Sequence, residues 1–244
     1  MLLAIVVGAV PLITSDYTNP WAWGTASENI LGLGSVNATA RGTLYNAWLS
    51  NLPQVLLSFC YINLNTMCTS MACVAEWNTF GSVRKGLRVT KPEGEQRSTY
   101  FLQLPYRWAI PLIALSGLLH WLLSQSFFLI RFDSFTLDEK PNEAASKSAC
   151  GASISSLIVF YVISLALVVG VRWLGRRSML PSIPPADCCS QFISAACHAP
   201  PDEIDPCLGR VKWGVTTREV GEGYGHCSLS SQPVGKPQVG TVYY

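Results

Sequence analysis

The residue best placed to do chemistry in this chain is a histidine inside an uncharged run. His120 lies near the middle of the stretch Trp108 to Ile130, with Ser116 and Ser124 four residues to either side, so on a helix the three form one polar stripe. An imidazole titrates near neutral pH, and an ionisable group inside an apolar segment marks a functional site by default. The stripe has two readings. In one, it handles a proton or a solute, with Asn63, Asn65 and Thr66 of an earlier apolar segment as the opposing polar wall. In the other, a neutral histidine is hydrogen-bonded between helices. No carboxylate or lysine lies inside the apolar runs to pair with His120, which argues against a proton-coupled pump.

The second cluster is in the tail: Cys188, Cys189, Cys197, His198, Cys207, His226 and Cys227. Thiolate and imidazole are zinc's ligands. The spacing is wrong for it, because there is no Cys-x-x-Cys and the Cys-His and His-Cys neighbours cannot easily both chelate one ion, so no metal is expected. Cys188 and Cys189 stand just beyond the last apolar segment and fit S-palmitoylation better. Cys60, Cys68 and Cys73 sit in an apolar segment and act there as small hydrophobes. The chain lacks a P-loop, Gly-x-Ser-x-Gly and His-Glu-x-x-His, and Gly221-Glu-Gly-Tyr-Gly225 has no strand-to-helix setting. Neither an enzyme nor a cofactor is expected.

The elements that must hold these residues are read from charge and hydropathy. Only 13% of the 244 residues are charged and mean hydropathy is +0.28, the composition of a chain partly dissolved in lipid. With 17 basic residues against 15 acidic ones there is no basic patch for nucleic acid. Trp108 to Ile130, bounded by Arg107 and Arg131, matches a bilayer's hydrocarbon core of about 30 Å. The run 153–171 is the most apolar, and 51–75 makes another span, with Pro53 suited to its first turn. Met1 to Thr14 is short and without a basic n-region, and reads as a partial span, with a signal-peptide h-region as the alternative. Nine basic residues fall in the connector 76–107 and at the start of the tail, against four in the other two connectors. That asymmetry puts the former in the cytosol. The sequon Asn37-Ala-Thr39, a glycosylation site, then lies outside, as does an unpaired Cys150.

The expected organisation is a partial span 1–14, exoplasmic loops 15–50 and 131–152, spans 51–75, 108–130 and 153–171, a cytosolic connector 76–107 and a cytosolic tail 172–244. Within the connector, the β-rich runs 86–90 and 98–103 flank the turn Lys91-Pro-Glu-Gly94, which predicts a juxtamembrane hairpin. In the tail, Asp187 would cap a short helix 188–197, followed by strands 210–216, 227–230 and 239–244. The fold class is therefore all-α transmembrane helices with a small β-rich cytosolic module, in which tail strands near Trp213 and Cys227 cover the hairpin.

At Asn51-Leu-Pro-Gln-Val-Leu-Leu-Ser-Phe59, Arg84-Lys-Gly-Leu-Arg-Val89, Gln96-Arg-Ser-Thr-Tyr-Phe-Leu-Gln-Leu-Pro-Tyr-Arg107, Ser116-Gly-Leu-Leu-His-Trp121 and Ser194-Ala-Ala-Cys-His198, the chain resembles a family of fungal multi-pass membrane proteins built on a domain of unknown function. The resemblance implies no activity and no site residues. It also implies that this chain is a C-terminal portion of a longer one. The expected protein is a multi-pass integral protein of the plasma membrane or an endomembrane, whose partners are the lipid bilayer and a cytosolic protein or a second copy. A membrane-anchored scaffold or sensor is the first expectation, and a channel or transporter subunit with a polar path near His120 is the alternative.

Overall fold

A computed structural model describes residues 23, 36–142, 144–176, 183, 190–198, 200–218, 225–238 and 240–243. The expected partial span 1–14, Asp187, and the lipidation candidates Cys188 and Cys189 lie outside them. Four α-helices are present among the described residues. The first three are long and apolar enough to cross a membrane. Helix α1 is Ala40–Thr79, α2 is Tyr106–Ser126, α3 is Ile154–Gly175 and α4 is Ser190–Ala196.

Helix α1 is longer than the expected span and begins well before Pro53. Thr39 explains the early start, since its hydroxyl accepts the Gly42 N–H at 3.2 Å and caps the first turn. Pro53 therefore sits inside the helix, where it withholds one backbone donor but does not end the element. Residues 40–50, expected in a loop, are helical. Polar residues along α1 turn back on their own backbone: Asn51 donates to Ala47 O at 2.8 Å, Ser58 to Gln54 O at 3.1 Å, Asn63 to Phe59 O at 2.8 Å and Thr69 to Asn65 O at 2.8 Å. Such i to i−4 bonds satisfy polar groups within the helix itself.

The chain forms two compact units. The first comprises Met1–Leu64 and Pro111–Arg172. Its core gathers Leu57, Leu119, Leu122, Leu123 and Phe160, flanked by Phe127, Ile163 and Leu167. Strands β5 (Phe127–Phe132) and β6 (Lys147–Ala152) pair antiparallel from Phe127 opposite Ala152 to Phe132 opposite Lys147, and β1 (Val36–Asn37) adds to the other edge of β6. The helix expected over 108–130 thus ends at Ser126, four residues short of Ile130, and the expected loop 131–152 belongs to a β-hairpin. Residue choice explains the switch. Phe-Phe-Leu-Ile-Arg-Phe suits a strand, and Ser-Ala-Cys-Gly-Ala on β6 is small enough for the larger strand to pack against. Ser126, fully buried, closes α2 by donating to Leu122 O at 2.7 Å and lies 3.1 Å from Ser156 Oγ.

The second unit comprises Asn65–Ile110 and Trp173–Tyr244. Its sheet runs β2 (Lys85–Gly86), β7 (Arg210–Arg218), β8 (Gly225–Ser230), all antiparallel. The core combines Phe80, Ile183, Ala196, Val211, Trp213, Cys227 and Leu229, with Trp77, Leu87, Phe192, Val215 and Tyr243 around it. The expected covering of the connector by tail strands is present, since Lys85 pairs with Val211 and Trp213 donates its backbone N–H to Phe80 O at 3.0 Å. The expected hairpin is not. Strands β3 (Arg88–Val89) and β4 (Arg97–Ser98) pair in parallel, and residues 100–103 form a turn. The tail draws the connector away from itself: Glu95 N–H donates to Leu208 O at 2.8 Å, next to Gly94 at φ 58°. The short tail helix exists as α4, with Phe192 against Trp77 and Trp213 at centroid distances of 5.9 and 6.4 Å. The third tail strand shrinks to a bridge between Tyr243 and Gly225; Val239 and Tyr244 lie outside the described residues.

Candidate functional site

Within the first unit, His120 faces α1, but its partner is Gln54 and not the asparagine wall expected from sequence. Gln54 Nε2 donates to the His120 backbone oxygen at 3.2 Å, and Gln54 Oε1 lies 2.7 Å from His120 Nδ1. A backbone carbonyl can only accept, so the amide orientation is fixed and Oε1 must receive a proton from Nδ1. The imidazole is thereby held with Nδ1 as the donor. Because Nδ1 donates in the neutral ring and in the imidazolium alike, the clasp survives protonation. What the geometry performs is helix joining at a polar point in an apolar interface.

The rest of the expected stripe does not converge there. Ser124 is exposed, Ser116 is half-buried, and exposed Asn63 spends its amide on Phe59 O at 2.8 Å. Asn37, the sequon asparagine, is exposed in β1 opposite Lys147. Cys150 is buried in β6, where burial pushes its thiol above the usual range against an opposing hydrogen bond with Ser50. That makes it a poor target for thiol reagents whichever side it is on. Beside it, Asn46 is fully buried and donates to Ser148 Oγ at 3.3 Å.

In the second unit, the end of α1 carries a constellation that sequence reading passed over. Glu76 receives Arg88 Nε on both oxygens, at 2.8 and 2.9 Å, and Arg97 Nη2 at 2.8 Å. Arg88 continues to Ser98 O at 3.0 Å and Tyr100 Oη at 2.7 Å, and Arg97 Nε reaches Gly86 O at 2.9 Å. One carboxylate thus ties β3 and β4 to the last turns of α1 through charge-assisted bonds. Trp77 and Phe80 carry the apolar half of the same joint into the core. The signal was available: Glu76 is the first acid after a long uncharged run, followed by arginines at 88 and 97.

Glu203 makes a second clamp. Its carboxylate accepts from Ser230 Oγ at 2.9 Å, from the Ser231 N–H at 2.6 Å and hydroxyl, and from the Gln232 N–H at 3.2 Å. Desolvation alone would raise its pKa, but these hydrogen bonds outweigh it and hold the carboxyl below its ordinary range. Arg84 donates to the carbonyls of Ser231 and Gln232 in the same turn. Of the tail's expected chemistry, Cys197 and Cys207 are exposed and Cys227 is buried, its thiol pushed up to about 11 by desolvation. The His198 and His226 rings stand edge to face at 6.4 Å. Among the described residues no three His, Cys, Asp or Glu side chains converge as metal ligands do.

These features define a class: a protein of three long apolar helices with a β-module fastened to the end of the first. A family model for a domain of unknown function, DUF8419, matches residues 2–221, and the chain belongs to that family. No curated protein and no solved structure matches it.

Proposed function

We propose that this chain is a multi-pass integral membrane protein, of the fungal group its sequence resembles, that acts as a membrane-anchored scaffold or sensor rather than as an enzyme. The plasma membrane or an endomembrane is its site, with the second unit on the cytosolic side and a protein or a second copy as its partner. The observation that carries this reading is the joint at the end of α1. Glu76, Trp77 and Phe80 belong to a long apolar helix or its immediate end, yet Glu76 is bonded to the β-module, Trp77 packs against its core and Phe80 is buried within it. A folded module joined to the end of a long apolar helix stays tethered to that helix and offers an ordered surface for docking, which a floppy tail would not give.

The alternative, a channel or transporter subunit, rests on the polar side chains near His120. The closed Gln54–His120 clasp supports it less than a converging stripe would. The two readings separate in one set of full-length samples. A photo-crosslinking amino acid at Ile204, which is 91% exposed, should capture a discrete protein in cells, and Glu76→Gln should weaken that capture. Proteoliposomes that pass ions or solutes in a manner abolished by His120→Ala, with no crosslinked product from the module, would overturn the scaffold in favour of the channel.

A further inference from the structure

We infer that the turn Tyr100–Leu104 is an interfacial wedge, which inserts Phe101 and Leu102 into the headgroup and acyl boundary of an anionic lipid leaflet beside the start of α2. The inference rests on the membrane reading above and names the partner of one surface of the module. Phe101 is 89% exposed, matched in the second unit only by Ile204 among its described large apolar residues. Leu102 beside it is exposed as well. Loose sequence does not explain this, because the turn is pinned on both flanks. The Gln103 N–H closes back on Tyr100 O at 3.0 Å, the Tyr100 ring stands edge to face with Tyr106 at 6.1 Å, and Leu104 is fully buried. Gln103 adopts φ 60°, a left-handed conformation that is unfavourable for a non-glycine residue. The backbone is thus held in an unfavourable state that projects two apolar side chains outward.

The adjoining helix determines what covers them. Pro105 leads directly into α2, an apolar helix able to cross a bilayer, so the turn stands at the level where a span meets the headgroups. Exposed Tyr106 and Trp108 occupy that helix's first turn, the residue types that form aromatic belts at this depth. Arg107, with its guanidinium 5.6 Å from the Trp108 ring centre, adds a cation there. Across residues 76–107 six basic residues, two of them paired with Glu76, stand against Glu76, Glu93 and Glu95, a net basic surplus that favours anionic phosphates. Apolar side chains in such a setting enter about 5–10 Å into the headgroup and acyl boundary.

The test uses full-length protein in liposomes of phosphatidylcholine with phosphatidylglycerol, carrying a fluorescent amino acid at one position at a time: 101, 102, 118 or 204. Quenchers are lipids brominated close to the headgroup, lipids brominated at mid-chain, and aqueous iodide. The labels at 101 and 102 should be quenched several-fold more by shallow bromine than the label at 204, should be shielded from iodide, and should lose this contrast when the anionic lipid is omitted. Position 118, inside α2, should respond to mid-chain bromine. If 118 responds while 101 and 102 are quenched only by iodide, the wedge is wrong and the membrane reading stands. If 118 is also quenched only by iodide, the membrane reading falls and the wedge with it. Two wedge positions are used so that a substitution that misfolds at one leaves the other informative.

Discussion

Three carboxylate and amide contacts decide what single side chains do here. Glu76 accepts from two arginines while about a quarter of its side chain is exposed. Glu76→Gln therefore removes charge-assisted bonds that contribute about 1–2 kcal/mol and leaves Arg88 and Arg97 facing each other. The melting temperature of the purified protein in nanodiscs should fall, and an unchanged value would show the cluster to be decorative. Gln54 and His120 form a mutual pair, so a double-mutant cycle with Gln54→Leu and His120→Leu should give a coupling of roughly 0.6 kcal/mol, at most about 1.7. Additive losses would mean that the contact carries nothing. Glu203 sets an acid limit. Its folded pKa lies below its ordinary value, so its contribution is complete above the ordinary carboxylate range and is lost as pH falls through the depressed value. Acid should loosen the module, and Glu203→Gln should flatten that part of the pH–stability curve; identical curves would place the acid sensitivity elsewhere.

At the scale of elements, close backbone approach is the sharpest constraint. A Cβ on Gly86 would meet the Glu95 carbonyl, which is backbone and cannot swing aside as a side chain can. Gly86→Ala should therefore separate β2 from the connector that folds over it, at a cost of about 1–3 kcal/mol. Loss of hydrogen-exchange protection at the Glu95 amide, which bonds Leu208 O, is the readout, and retained protection would mean that the connector moves freely. The same detail shows why the elements were unevenly legible in sequence. Long uncharged runs reveal the three long helices, because a segment apolar enough to cross a membrane carries few charges. The switch from α2 to β5 at Phe127 was hidden, since a short apolar run reads equally as buried helix or strand, and its partner Lys147–Ala152 is built of residues with no β preference. The connector's parallel pair was hidden too, because alternation within 86–103 cannot reveal that Glu95 bonds to Leu208 over a hundred residues away. Of the candidate site, His120 stood out by its charge type, whereas Gln54 did not, lying beside Pro53 with nothing in spacing to single it out.

At the scale of the molecule, the family match and the folded module have different ends. The match stops at residue 221, yet β8, Gly225–Ser230, lies beyond it and supplies Cys227 and Leu229 to the core that Trp213 and Phe80 share. It also brings Ser230 and Ser231 to Glu203. A chain cut after residue 221 would keep β7 with one edge unpaired and Trp213 uncovered, and an unpaired edge beside an apolar surface promotes association with other chains. The second unit's remaining strands among the described residues, β3 and β4, pair with each other in a separate sheet of two-residue strands. The cut chain should therefore retain its helical signal, because the three long helices do not draw on β8, while the Glu95 and Trp213 amides lose hydrogen-exchange protection and the protein becomes prone to aggregate in detergent. Should both amides in the cut chain exchange as slowly as in the full one, the connector and β7 form a self-sufficient fold, and β8 is an addition to the module rather than a part of it.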